Sequence, residues 1–314
     1  MERLRRIPLP FAGTALGLAA LGNLIQNYSE TVRIIFGIIS AVIICLLILK
    51  IVANWNTVKE EVKNPVVASS FVTFFMTPVI LSSYIPGTLT GRILWYAGVI
   101  GHLIYLIWFC ATFLSDFKLA KVFPSWFVPF VGMVVGSVTA PAFGLVGFGK
   151  ILFWLGFVLY LIQLVLVTYR CIKLPELPPP AVPTYAIYAA PASLLLAGYI
   201  RSFGADNSIY PAMVYLLLCL SILFYIFGLY IVIREGGKKF MPSFSAFTFP
   251  IVISGIAVKL TNGWMVKNGM GMAWMKYLVN FQEIAAVICV LGVLFLYIKA
   301  LSSPPALPDR EVKK

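Results

Sequence analysis

Two kinds of apolar stretch alternate along the chain. Five are long, nearly free of charge and rich in Leu, Ile and Val. They run approximately from Ile34 to Val52, Ile93 to Leu114, Ile151 to Tyr169, Tyr210 to Ile233 and Phe281 to Ile298. Each can cross roughly 30 Å of hydrocarbon as a helix. None carries an interior proline; Pro211 stands at an N-terminal end, where proline is tolerated. The other five run approximately from Pro8 to Leu24, Val66 to Tyr84, Ser125 to Phe143, Thr184 to Ile200 and Ser243 to Lys259. These are shorter and richer in Gly, Ala, Ser and Thr. Each contains or begins with proline: Pro8 and Pro10, Pro78, Pro129 and Pro141, Pro191, and Pro250.

One proline per odd-numbered stretch recurs at about sixty residues, a weak internal repeat. The segments "FFMTPVILSSYI", "IYAAPASLLLAGYI" and "FTFPIVISGIA" look alike locally, with an aromatic shortly before the proline and small residues after it. The pattern predicts an all-α integral membrane protein with ten transmembrane helices arranged as five helical hairpins. A single domain covers 1–303, followed by a short cytoplasmic tail, 304–314. A proline-broken helix survives in lipid only where neighbours, side chains or water satisfy the freed carbonyls. The odd stretches are therefore expected inside, around a central pore, and the even ones outside, facing lipid. The kink prolines Pro78, Pro191 and Pro250 then fall on the pore wall.

Composition agrees: 61% of the 314 residues are hydrophobic and 11% charged, against roughly 25% charged in soluble domains. The net charge of +13 reads as an orientation signal and not as a nucleic-acid surface. If the N-terminus is cytoplasmic, 17 of the 24 Lys and Arg residues fall on that side and 7 on the other, so both termini are expected inside. The start, "MERLRRIPLPFAGTALGLAALGN", imitates a secretory signal, but prolines break its apolar run and it is expected to remain as the first helix. The five cysteines are scattered singly and read as small buried hydrophobes. "LPELPPPAVP", Leu174 to Pro183, reads as a stiff loop.

The chemistry is sparse. The odd stretches hold no Asp or Glu, and Glu283 is the one acid of the eleven inside any stretch. An acidic ring for cations is missing, and so is the ionisable relay usual in proton-driven carriers. The only histidine, His102, lies on an even stretch and reads as a hydrogen-bonded structural residue. No Ser/His/Asp set, H-E-x-x-H or Cys/His cluster appears, so neither an enzyme nor a metal or other cofactor is expected. "GLVGFGK", Gly144 to Lys150, lacks the Lys-Ser/Thr end of a phosphate loop. What remains is a wall of methyls, hydroxyls and aromatics with basic residues near both mouths, which suits small inorganic anions. Thr14, Thr77, Ser137 and Thr139 are candidate hydroxyl donors, with capping at the kinks as the alternative. The G-x-x-x-G pairs Gly13/Gly17 and Gly132/Gly136 fit close helix packing, and Gly17 fits pore exposure as well. Arg201 and Lys259 read as interfacial residues.

At "LPFAGTALGLAALGN" and "FSAFTFPIVISGIA" the chain resembles the tellurite-resistance/dicarboxylate transporter family. Its bacterial member TehA is related to the plant guard-cell slow anion channels. The resemblance implies five inner helices around a pore, a homotrimer with one pore per subunit in a bacterial inner membrane, and a phenylalanine plugging the pore from the ninth span. That plug falls on Phe249, with Phe247 as the alternative register, and a pore-facing glycine falls on Gly13. It also leaves two functions open: a channel for chloride or nitrate, or a secondary carrier of C4-dicarboxylates or related oxyanions, including tellurite-linked export. Without the resemblance, Phe249 is one of 24 phenylalanines packing a helix interface.

Overall fold

A computed structural model describes residues 2–303; the expected tail, 304–314, lies outside them. The described residues are helical, without strands. Among the described residues nine helices are long and apolar enough to cross a bilayer. With the shorter Phe11–Ile25 as α1, they are α2 Glu30–Ala53, α3 Pro65–Ser82, α4 Leu89–Phe113, α5 Pro124–Phe143, α6 Val146–Lys173, α7 Pro179–Gly204, α8 Pro211–Gly236, α9 Pro242–Lys267 and α10 Ala273–Ser302.

The even helices are regular and have 24 to 30 residues, or roughly 36–45 Å of length at 1.5 Å per residue. Local chemistry sets several starts. Ser29 accepts from the Val32 amide at 3.3 Å, Thr88 from Gly91 at 3.0 Å, and Asn64 from Val66 at 2.9 Å just before Pro65. Only 28–33% of the apolar window of each even helix is buried. Rows such as Ile93, Ile100, Ile104 and Ile107 on α4 stand exposed, a surface suited to lipid tails. The odd segments are the reverse: 56–89% of the windows of α3, α5, α7 and α9 are buried, as are 13 of the 15 residues of α1.

The odd segments close a ring. α1 packs on α3, α3 on α5, α5 on α7, α7 on α9, and α9 returns to α1. Each even helix packs on the odd segment before it and also touches the next one round, so the regular helices seal the outer seams. Hydroxyls tie the ring within: Ser193 of α7 lies 2.8 Å from Ser221 of α8 and 2.9 Å from Ser254 of α9. Lys50, the charged residue in the first long stretch, is fully buried and reaches the Ile7 carbonyl at 2.6 Å and Glu61 at 2.6 and 2.7 Å.

The prolines act differently from simple kinks in continuous helices. In α9 a 3₁₀ stretch, Pro242–Phe247, meets an α-helix beginning at Phe249. The break falls at Thr248 (φ −95°, ψ −87°), and Pro250 sits in the first helical turn, where a missing donor costs nothing. α7 is likewise 3₁₀ over Pro179–Tyr188 before its α-helix, Ala189–Gly204. The second half of the expected loop Leu174–Pro183 is therefore already the start of α7. α5 alternates short α and 3₁₀ turns throughout. Among the described residues, Pro78 alone lies inside an α-helix beyond its first turn.

The seam between α3 and α4 depends on Gly98. A Cβ there would lie 2.5 Å from Val79 Cγ2 and 2.7 Å from the Phe75 carbonyl oxygen. The carbonyl belongs to the backbone and cannot turn aside. Gly98→Ala is expected to cost about 1–3 kcal/mol, read as a lower Tm of the detergent-solubilised protein. An unchanged Tm would mean that the two helices do not meet here.

Candidate functional site

The ring encloses two cavities, and all five odd segments contribute to each. The first, about 50 Å³, lies at their N-terminal halves, among them Gly13, Thr73, Gly132, Pro191, Ser245 and Phe249. The second, about 270 Å³, lies at their C-terminal ends, among them Asn23, Ser83, Thr139, Arg201 and Lys259. The five segments therefore run in the same direction around one axis. No residue lines both cavities, so a packed layer separates them.

Their chemistry differs. Among the described residues no ionisable side chain lines the first cavity; its polar side chains are Ser70, Thr73 and Ser245. Even 50 Å³ has room for a few waters, since one needs about 10–15 Å³. The second cavity is lined by Arg33, Arg201 and Lys259 and by no acid. Lys259 pairs with Glu283 at 2.7 Å, and Tyr28 donates to the other Glu283 oxygen at 2.7 Å. That hydrogen bond raises the Tyr28 phenol above its ordinary value. Lys259 is thus held in an ion pair, which its position at a span end did not reveal.

Phe249 is 5% exposed and lines the first cavity beside Pro250. Among the described residues no other aromatic ring stacks on it. Phe247 lines neither cavity and packs against Phe244 with ring centroids 4.9 Å apart. The joint that positions Phe249 rests on α1. The Thr248 hydroxyl is shared between the Ser245 carbonyl at 2.7 Å and the Gly13 carbonyl at 3.0 Å. A Cβ on Gly17 would come within 2.6 Å of Thr248 Cβ and 3.2 Å of the Phe249 amide nitrogen. The glycine pair lets α1 approach α9 closely, and Gly13 faces the cavity as well.

The sequence candidates separate in space. Gly13, Pro191, Pro250 and Phe249 come together at the first cavity. Thr14, Gly17, Thr77, Pro78 and Ser137 line neither cavity. Thr77 donates to the Thr73 carbonyl at 2.8 Å, and Ser137 to the Gly198 carbonyl at 3.2 Å. The Thr14 hydroxyl is buried without a partner. Thr139 reaches the second cavity, where Trp95 donates to it at 2.8 Å. His102 donates from Nε2 to the Pro129 carbonyl at 2.9 Å and supports the irregular α5 from outside the ring. Sequence reasoning missed Thr73, Met76 and Ser245. The available signal was spacing, since Ser245 precedes Phe249 by one turn and Thr73 precedes Met76 by one turn.

A family model described as "Voltage-dependent anion channel", the SLAC1 family, matches residues 6–298. The chain belongs to this family. It is the family that the sequence resembles, and it comprises anion channels and transporters, not enzymes. The match runs from before α1 into the last turn of α10, so the whole ring is family structure. With its many apolar helices the SLAC1-family chain is a multi-pass membrane protein. No curated protein matches the chain.

Water access to the second cavity can be read residue by residue. Ile256 lines it, whereas its neighbour Ala257 is fully buried. In a background without the native cysteines, Ile256→Cys is expected to react with a hydrophilic thiol reagent at least about tenfold faster than Ala257→Cys, because reaction needs an accessible thiolate. Equal rates would mean that the cavity is closed to water.

Proposed function

We propose that this protein is a channel for small monovalent anions such as chloride and nitrate, with one pore through each subunit and Phe249 as its plug. The chain crosses a bacterial inner membrane ten times as five hairpins, with both termini cytoplasmic and the second cavity facing outward. It assembles as a homotrimer, an expectation taken from the family resemblance.

One observation carries the reading: a neutral, hydroxyl-bearing cavity and a cation-lined cavity share one axis, and neither is lined by an acid. Cations at the mouth draw anions in, while an uncharged throat does not hold them, and conduction needs that balance. The Phe249 ring is buried at the edge of the first cavity, and an apolar ring there excludes a hydrated ion. An open rotamer a few kcal/mol above the packed one would be populated at about 0.1–10%. The wild type therefore conducts little and the plug sets the level. The lack of an acid at either cavity also supports the channel over a proton-coupled dicarboxylate carrier.

Voltage-clamp current in chloride and nitrate solutions tests this. Phe249→Ala is expected to raise an ohmic, anion-selective current by about tenfold to a thousandfold, the reciprocal of that open population. Phe113→Ala, whose ring packs on Phe109 at the end of α4, and Phe247→Ala should leave it near wild type. Equal gains at all three positions would sink the gate. Silence in all of them, with saturable proton-dependent dicarboxylate uptake, would establish the carrier.

A further inference from the structure

The three cations of the second cavity are not equivalent. Arg33 has all three nitrogens engaged: Nη1 to Glu30 at 2.5 Å, Nε to Asn23 Oδ1 at 3.0 Å and Nη2 to the Ser83 carbonyl at 2.8 Å. Its guanidinium also stacks 4.4 Å from the Tyr84 ring centroid. Lys259 is neutralised by Glu283 and bonds the Leu24 carbonyl at 2.6 Å and the Asn27 side chain. Arg201 has no ion pair and no hydrogen bond among the described residues. Its side chain is exposed to the cavity, while its chain neighbours Ile200 and Ser202 are buried.

The other polar groups of the cavity are largely engaged with one another. Asn23 donates to Ser83 at 2.9 Å, Ser83 to the Ile80 carbonyl at 2.7 Å, and Thr139 to the Val135 carbonyl at 2.9 Å. Ile253, Ile256 and Leu260 supply apolar wall. A guanidinium offers five N–H donors in a planar fork and never loses its charge. That fork meets no protein acceptor within hydrogen-bond distance among the described residues; Gln26, the one other polar side chain of the cavity without a hydrogen bond, is neutral.

We propose that Arg201 is the anion-recognition residue of this cavity, and that it favours a small planar monovalent oxyanion, nitrate being the simplest, over a spherical halide. The inference rests on the anion-pathway reading and adds a selectivity element to it. Two coplanar oxygens can accept both arms of the fork at once, whereas a halide offers a single acceptor atom. One uncompensated positive charge matches one negative charge. A dicarboxylate would need a second, and Arg33 and Lys259 are each already balanced by a carboxylate. The cavity is wide enough for the anion to keep part of its water, so binding stays weak enough for release.

The test reads binding directly. Chloride-35 line broadening is measured on the purified full-length protein in uncharged detergent, with nitrate titrated against it. The wild type is expected to show saturable broadening that nitrate displaces. Arg201→Gln should weaken nitrate binding by about tenfold or more, as loss of a bidentate charge-assisted contact implies. Arg201→Lys keeps the charge and loses the fork, so chloride binding should persist while the nitrate advantage disappears. No saturable broadening in the wild type, wild-type nitrate binding in Arg201→Gln, or a retained nitrate preference in Arg201→Lys would each overturn the proposal. Currents through Phe249→Ala separate the two readings. Arg201-dependent binding without current removes the channel and leaves this site standing; current with binding indifferent to Arg201 does the reverse.

Discussion

A backbone group in lipid must find its partner within the protein, and everything else in this fold depends on that constraint. Three of the odd segments, α5, α7 and α9, contain 3₁₀ stretches and α3 carries an interior proline, so these cannot face hydrocarbon. Five regular helices of 24 to 30 residues carry that exposure instead and close every seam between the irregular ones. The irregularity is in turn what makes the axis useful. Regular helices at close packing would fill it with side chains, whereas the joints at Thr248 and Tyr188 turn the chain where the first cavity opens. Local side-chain bonds compensate the breaks: Thr248 to Ser245 and Gly13, Ser254 to Pro250, Ser193 to Ala189. Small residues and hydroxyls thus serve the backbone first, and few remain free for an ion.

The same economy governs charge. An unpaired charge in a low-dielectric setting is expensive, and the structure pairs nearly every cation that approaches the axis. Glu283 neutralises Lys259; Glu30 neutralises Arg33; Glu61 neutralises the buried Lys50. Against that background Arg201 stands out, because it has no partner among the described residues and lines the second cavity. Cavity chemistry and ring geometry therefore point the same way as the family match.

Much of the architecture was legible before any coordinates. The Leu/Ile/Val-rich stretches became the exposed regular helices, and the proline and small-residue stretches became the buried ring. Both are consequences of composition over some twenty residues, which a linear reading averages well. Individual pore positions were less legible. Gly13, Pro191, Pro250 and Phe249 reach the first cavity, while Thr77, Pro78 and Ser137 sit in the expected segments but on other faces. For Ser137, in the mixed α and 3₁₀ segment α5, the reason lies in the helix type; Thr77 and Pro78 stand on a regular α-helical turn whose cavity-facing residues are Thr73, Met76 and Ile80. A 3₁₀ turn advances about 20° more per residue than an α turn, so a ten-residue 3₁₀ stretch such as Pro179–Tyr188 rotates the face by about 200°.

The sequence by itself determined the solvent, the alternation of two helix kinds and the scarcity of acids. These follow from residue type and order alone. Only the tertiary structure decided which faces meet on the axis, that Pro250 opens a helix instead of bending one, and which cation lacks a counter-ion. Face depends on accumulated turn angle through irregular segments. Pairing depends on contacts between residues such as Lys259 and Glu283, 24 positions apart on different helices. Neither quantity is carried by any local stretch of the chain.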